Sequence, residues 1–182
     1  LWWNTGANRT AANNPWFNEL PTHPYNVYHD MNHENAMVKD HVKRSLEYLL
    51  TEYDVDGFRF DLTKGFTQKN TLGNTGAWGN KDDSRIAILK DYADAIWACD
   101  ADAVVIFEHL ADLSEEKILG EYGIQLWRNM QSTYGQTAMG WNDGGRSTDF
   151  NPLYSGTAGM PFGSLVSYME SHDEERCSWE IM

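Results

Sequence analysis

Three acidic side chains stand where a parallel sheet would present them for chemistry. Asp61 ends the run VDGFRFD, Glu108 ends VVIFE, and Asp173 follows His172 in SHDEER, just after the run SLVSYME. Strand alternation puts Arg59 and Asp61 on one face and Phe58, Phe60 and Leu62 on the other. An arginine one pleat below a carboxylate favours the ionised form, which suits a nucleophile. Glu108 sits above Val104 and Ile106. An apolar setting raises a carboxyl pKa and retains its proton, which suits a general acid. Two carboxyl groups with environments pushed apart in this way match the needs of glycoside hydrolysis. Asp173 would then stabilise positive charge on the sugar. The 8 Trp and 9 Tyr fit the same chemistry, because pyranose rings present apolar C–H faces to aromatic rings. Trp78 and Trp141, both in Gly-rich stretches, are the candidates for such stacking.

The same residues admit plainer readings. Any one acid at a strand end could cap a helix or form a turn, and an Arg–Asp pair could be purely structural. Asp, Glu and Asp on successive barrel strands could instead hold a divalent metal, although the cationic Arg59 beside Asp61 competes with that.

The elements that must carry these groups follow from periodicity. Met37, Val38, Val42, Leu46, Leu49 and Leu50 recur near 3.6 and predict a helix over 36–53. A strand in DVDGFRFDL follows, then a helix from Ser84 to Cys99 with Asp82 and Asp83 at its start. ADAVVIFEH reads as a strand buried on both faces. A helix from about 112 to 122, a strand in GIQLW, a weak helix near 129–138 and a strand at 164–170 complete the order. Strict alternation of helix and strand argues for α/β architecture with a parallel sheet, either open and doubly wound or a (β/α) barrel. Both place chemistry at the C-terminal strand ends. Residues 1–35 show neither period and are expected to be a long irregular region. The division is thus 1–35 as an irregular subdomain and 36–182 as the core.

Composition narrows the partners. In 182 residues, 41% are hydrophobic and 23% charged, the balance of a globular chain. The net charge of -13 disfavours nucleic acid and anionic membranes. No apolar run approaches the roughly 18 residues of a membrane span. Cys99 and Cys177 are expected to be free and buried. No G-x-G-x-x-G or P-loop sequence follows a strand, so a bound nucleotide has no support. Glu115 and Glu116 are read as acids favouring a helix N-terminus.

The motifs also carry a family resemblance. GFRFDLTK (57–64) resembles the second signature region of the α-amylase family of glycoside hydrolases, VVIFEH (104–109) the third, and YMESHDEER (168–176) the fourth. The three occur in the family's order, and the resemblance covers about residues 24–182. It implies a partial TIM (β/α)8 barrel, with about strands 4 to 7 present. It implies Asp61 as nucleophile and Glu108 as acid/base, with Asp173 and His172 binding sugar hydroxyls and Arg59 orienting Asp61. The substrate it implies is an α-glucan such as starch, glycogen or a maltooligosaccharide.

Two departures stand out. The second region often ends Lys-His, whereas here Lys64 is followed by Gly65, leaving Lys64 alone to line the leaving-group side. The family's first signature, D-x-x-x-x-N-H, is not present in that form, and HDMNH (29–33) reads as loop. No cofactor is implied, and calcium is a possibility for a full-length protein. Transglycosylase or debranching chemistry on the same scaffold, and a non-catalytic glucan-binding module, remain alternatives. A barrel typically needs about 250 residues. The chain is therefore expected to be a catalytic-core fragment, inactive alone and prone to associate through exposed half-barrel edges. Its compartment is open, leaning to secreted, periplasmic or cell-surface.

Overall fold

A computed structural model describes residues 2–25, 29–144 and 148–177. The irregular N-terminal region contains one small ladder that the sequence pattern does not show. Strands β1 (Trp3–Asn4) and β2 (Arg9–Thr10) pair antiparallel, with Trp3 opposite Thr10. Two residues per strand are too few for a period of two to register. The turn between them is tied by Asn4 Oδ1, which accepts from the Ala7 amide at 3.0 Å.

Helix α1 (Ala36–Tyr53) occupies the predicted span. Asn35 caps it by accepting from the Met37 amide, and Asp54 ends it in the left-handed conformation. Val38, Leu46 and Leu50 form its buried stripe. Strand β3 (Gly57–Phe60) follows. Gly57 has φ +152°, and a Cβ there would lie 2.1 Å from the Val104 carbonyl oxygen, so only glycine permits this close pairing. Leu62 leaves the strand at φ 41° and opens a 3-10 turn over Thr63–Gly65. The expected Phe58–Phe60–Leu62 face therefore stops at Phe60, because the backbone turns outward directly after Asp61.

A long connection holds the short helix α2 (Thr75–Gly79) and leads into α3 (Asp83–Cys99), capped by Asp82. Strand β4 (Val104–Phe107), helix α4 (Leu113–Glu121), strand β5 (Gln125–Asn129), helix α5 (Gln131–Ala138) and strand β6 (Leu165–Tyr168) complete the order. The four longer strands form one parallel sheet in the order β3-β4-β5-β6. Each crossover steps the same way. A right-handed crossover repeated in one direction puts every connecting helix on one face. No reversal of strand order, the mark of a doubly wound sheet, occurs among the described strands.

The core lies on that one face. Leu46 and Leu50 of α1, Ile86, Leu89, Ala93 and Ile96 of α3, and Leu119 of α4 pack against Val105, Phe107 and Leu126. The opposite sheet face is different. Val105 and Phe107 are 2% and 0% exposed, yet Val104 is 42% exposed. The β-branched run of β4 is thus not buried on both faces as its sequence suggests: on the second face Val104 is exposed and Ile106 half-buried. Cys177 is buried and Cys99 exposed, so the expectation of two buried thiols holds for one. No helix among the described residues is long and apolar enough to cross a membrane.

The irregular region docks on the β3–α3 connection. Thr22 Oγ1 donates to the Thr67 carbonyl at 2.9 Å, and the Thr71 amide donates to the Thr22 carbonyl at 2.7 Å. Asp30 holds the docking segment by accepting from the Thr22 amide and the Asn18 side chain.

Candidate active site

The C-terminal ends of β3 and β4 bring Asp61 and Glu108 together. Phe60 pairs with Phe107 in the parallel register, so the next residue of each strand lies at the same rim. The Glu108 amide donates to the Phe60 carbonyl and the Thr63 amide to the Glu108 carbonyl, which locks the two strand ends. Arg59 rises between the acids. Its Nη2 donates to Glu108 Oε2 at 2.7 Å and its Nη1 to Asp61 Oδ1 at 3.1 Å. The sequence assigns Arg59 to Asp61 alone; the structure shows it serving both, because Glu108 lies on the same sheet face.

The two acids sit in contrasting surroundings. The Asp61 side chain is 81% exposed, while that of Glu108 is 10% exposed. Burial, then a hydrogen bond shared with Asp61, pushes the Glu108 pKa up, against the Leu62 amide and the Arg59 charge, which pull it down. The pair thus combines an open carboxylate with a shielded, proton-retaining carboxyl.

Trp127 supports the cluster from β5. The Arg59 guanidinium carbon lies 4.1 Å from its ring centroid, a cation–π contact. Tyr168 of β6 packs on the same indole at 4.9 Å. The Tyr168 phenol is pushed up to about 12 by burial, then by the negative charges of Glu174, Glu108 and Asp173. Tyr168 therefore stands between the Asp61–Glu108 pair and the segment carrying the third acid. In that segment His172 and Asp173 pair at 3.3 Å, both exposed. Glu174 fixes the turn by accepting from Ser171, Asn129 and, at 3.4 Å, the Tyr168 hydroxyl.

The remaining candidates lie outside this cluster. Lys64 donates to the Leu110 carbonyl at 2.8 Å and sits over the Trp78 ring at 4.2 Å. Burial and the Arg85 charge lower its pKa. Trp78 is 3% exposed, stacked on His23 and Tyr25, and bonded through Nε1 to the Lys64 carbonyl. Its indole thus offers no open face to a sugar. Gly65 lets His23 approach, since a Cβ there would lie 2.8 Å from His23 Nε2. Trp141 is 39% exposed and follows α5; the hydrogen bonds that join Arg59, Asp61 and Glu108 do not involve it.

Sequence reasoning missed the buried network below the rim. Glu115 and Glu116 stand in the first turn of α4, as expected, but are 0% and 3% exposed. Glu115 accepts from Arg85 Nε and Nη2, both at 2.7 Å, and bonds His109 Nε2 at 2.8 Å. His109 Nδ1 meets Thr63 Oγ1 at 2.9 Å, next to Glu108. Burial raises the Glu115 pKa, but the bonds from His109 and Arg85 outweigh it and hold the carboxyl at about 2. Glu116 pairs with Arg128 at 2.8 Å. Trp127 serves as the Arg59 platform, a role that its place at the end of the run GIQLW does not show. The local sequence signals helix capping at 112–116 but says nothing of a cationic partner 30 residues earlier.

Among the described residues, no group of three His, Cys, Asp or Glu side chains is placed to hold a metal ion. Asp30, the buried acid of the loop region, is already engaged by Thr22, Asn18 and His23.

Comparison with protein-family models and with curated proteins finds no match. Among solved structures, Amy13B of Eubacterium rectale is similar, with a TM-score of 0.50 and 18% identity. The match covers 66% of this chain and 22% of that one, so the chain spans about a fifth of its length. At this identity the likeness concerns the fold, and it indicates an amylase-like arrangement of the parallel sheet and its helices.

Proposed function

We propose that this chain is the central part of a retaining α-glucan hydrolase, built on strands four to seven of a (β/α)8 barrel. The observation that carries the reading is the Arg59 bridge between open Asp61 and shielded Glu108 at adjacent strand ends. The unidirectional strand order and the amylase-like neighbour support the barrel.

In this reading Asp61 attacks the anomeric carbon, forming a bond to C1 as the glycosidic C–O bond breaks. Glu108 gives its proton to the departing oxygen. Water, deprotonated by Glu108, then attacks C1 from the opposite side, expels Asp61 and restores the original anomeric configuration. Carboxyl groups bridged by one guanidinium suit this double displacement, whereas an inverting pair stands about 6.5–9.5 Å apart to admit water. Arg59 balances the charge of the pair and fixes both geometries. Asp173 and His172, exposed in the segment after β6, would bind sugar hydroxyls.

The test uses the full product of the reading frame that holds this sequence. Soluble starch should release reducing ends, and the newly formed ends should carry the α configuration by NMR. Asp61→Asn should abolish release, and Glu108→Gln should slow it by roughly 10²–10⁴-fold. Undiminished turnover by Asp61→Asn would remove the assignment.

A further inference from the structure

Beyond the carboxylate pair, the N-terminal region builds an aromatic cleft. Trp2 and Trp3 are 48% and 40% exposed. With Phe17 and His29 they line an open cavity of about 290 Å³. Trp3 and Phe17 both pack on the His29 imidazole, with ring centroids 5.3 and 5.6 Å away. The segment carrying the indoles is held in place. The Trp2 carbonyl accepts from the Ala11 amide at 3.1 Å and from Asn14 Nδ2 at 3.2 Å. Asn14 Oδ1 in turn accepts from the Trp16 and Phe17 amides.

The cleft continues in two directions from His29. Trp3 and His29 border a second cavity of about 140 Å³, whose wall holds the Arg9–Glu19 ion pair at 2.8 Å. His29 and Asp30 border a third, of about 220 Å³, which reaches Leu62 and Gly65. Leu62 directly follows Asp61 and donates its amide to Glu108. Three hollows thus meet at one imidazole, and the last ends beside the candidate active site.

We propose that this cleft is a distal glucan subsite, taking a pyranose ring of the polymer on the indoles of Trp2 and Trp3. The inference rests on the α-glucan reading above. Flat apolar rings complement the C–H faces of a sugar, and a neutral Arg–Glu pair offers both donors and acceptors to its hydroxyls. An anionic ligand fits poorly with a chain of net charge -13. Continuity through His29 to Leu62 suits an extended oligosaccharide better than an isolated small molecule.

The experiment measures glucan affinity of the full gene product carrying Asp61→Asn, by calorimetry with soluble starch and with maltotriose. Adding Trp3→Ala should weaken starch binding roughly tenfold and leave maltotriose unchanged, while Trp3→Phe, which keeps a ring, should retain most of the affinity. Matching melting temperatures for the three proteins exclude misfolding as the cause. Equal starch affinity in Trp3→Ala, including the case in which the cleft instead receives a protein segment, overturns the subsite but leaves the α-glucan reading intact. Absence of binding to either glucan by Asp61→Asn alone overturns both.

Discussion

Arg59 lies closer to Glu108 than to Asp61, at 2.7 Å against 3.1 Å. The guanidinium therefore opposes the burial and the Asp61 charge that raise the Glu108 pKa. Removing it leaves the raising influences opposed by the Leu62 amide bond alone. In the proposed mechanism Glu108 must be protonated to act, so its ionisation sets the alkaline limb of activity. Arg59→Met is expected to move that limb to higher pH while lowering the maximum rate. A pH profile of kcat/KM on a maltooligosaccharide checks both effects; an alkaline limb that stays in place would show that Arg59 does not tune Glu108.

Trp127 holds Arg59 from below, at 4.1 Å. A desolvated cation–π contact contributes about 1–2 kcal/mol. Trp127→Leu releases the guanidinium without removing its charge. The expected result is a loss of about tenfold in kcat with KM little changed, and Trp127→Phe should recover most of it. A role confined to packing would lower the melting temperature of both variants without this difference in kcat.

The site was partly legible in the sequence because its carboxylates end short β-branched or aromatic runs. Helix periods located α1 and α3 within a residue, since Asn35 and Asp82 cap them and apolar stripes follow. Four features were not legible. The β1–β2 ladder is too short for a period. The second face of β4 shares its β-branched composition with the first, so composition cannot show that Val104 is exposed. Arg85, His109 and Glu115 come from three separate segments, and only folding shows that they meet. Trp78 lies in a Gly-rich sequence that reads as loop, yet it falls within the short helix α2, and the space left by Gly65 admits His23, which stacks on its ring.

Glu115 ties α4 to α3 and, through His109, to the strand ends that carry Glu108. Its carboxylate neutralises the 1%-exposed Arg85. Breaking a buried pair by removing one partner typically costs about 3–5 kcal/mol, because the remaining charge is stranded. Glu115→Ala is expected to lose that much stability in urea unfolding, whereas Glu121→Ala, an exposed position on the same helix, should change it by less than about 0.5 kcal/mol. Comparable small losses in both variants would refute the structural role given to the Arg85–Glu115–His109 network.

His33 gives the irregular region a dependence on pH. The imidazole stacks on Phe66 at 3.8 Å and meets the Tyr92 hydroxyl at 3.0 Å. Burial lowers its pKa from 6.5 to about 4. The folded protein thus prefers neutral His33, and the unfolded chain binds the extra proton first as pH falls. Stability from this residue is complete above pH 6.5, declines between 6.5 and 4, and is lost below 4. The shift corresponds to about 3 kcal/mol over that window. His33→Phe, which keeps an aromatic ring but cannot titrate, should flatten the fall of unfolding free energy between pH 6.5 and 4. An unchanged slope in the variant would mean that groups other than His33 govern acid sensitivity here.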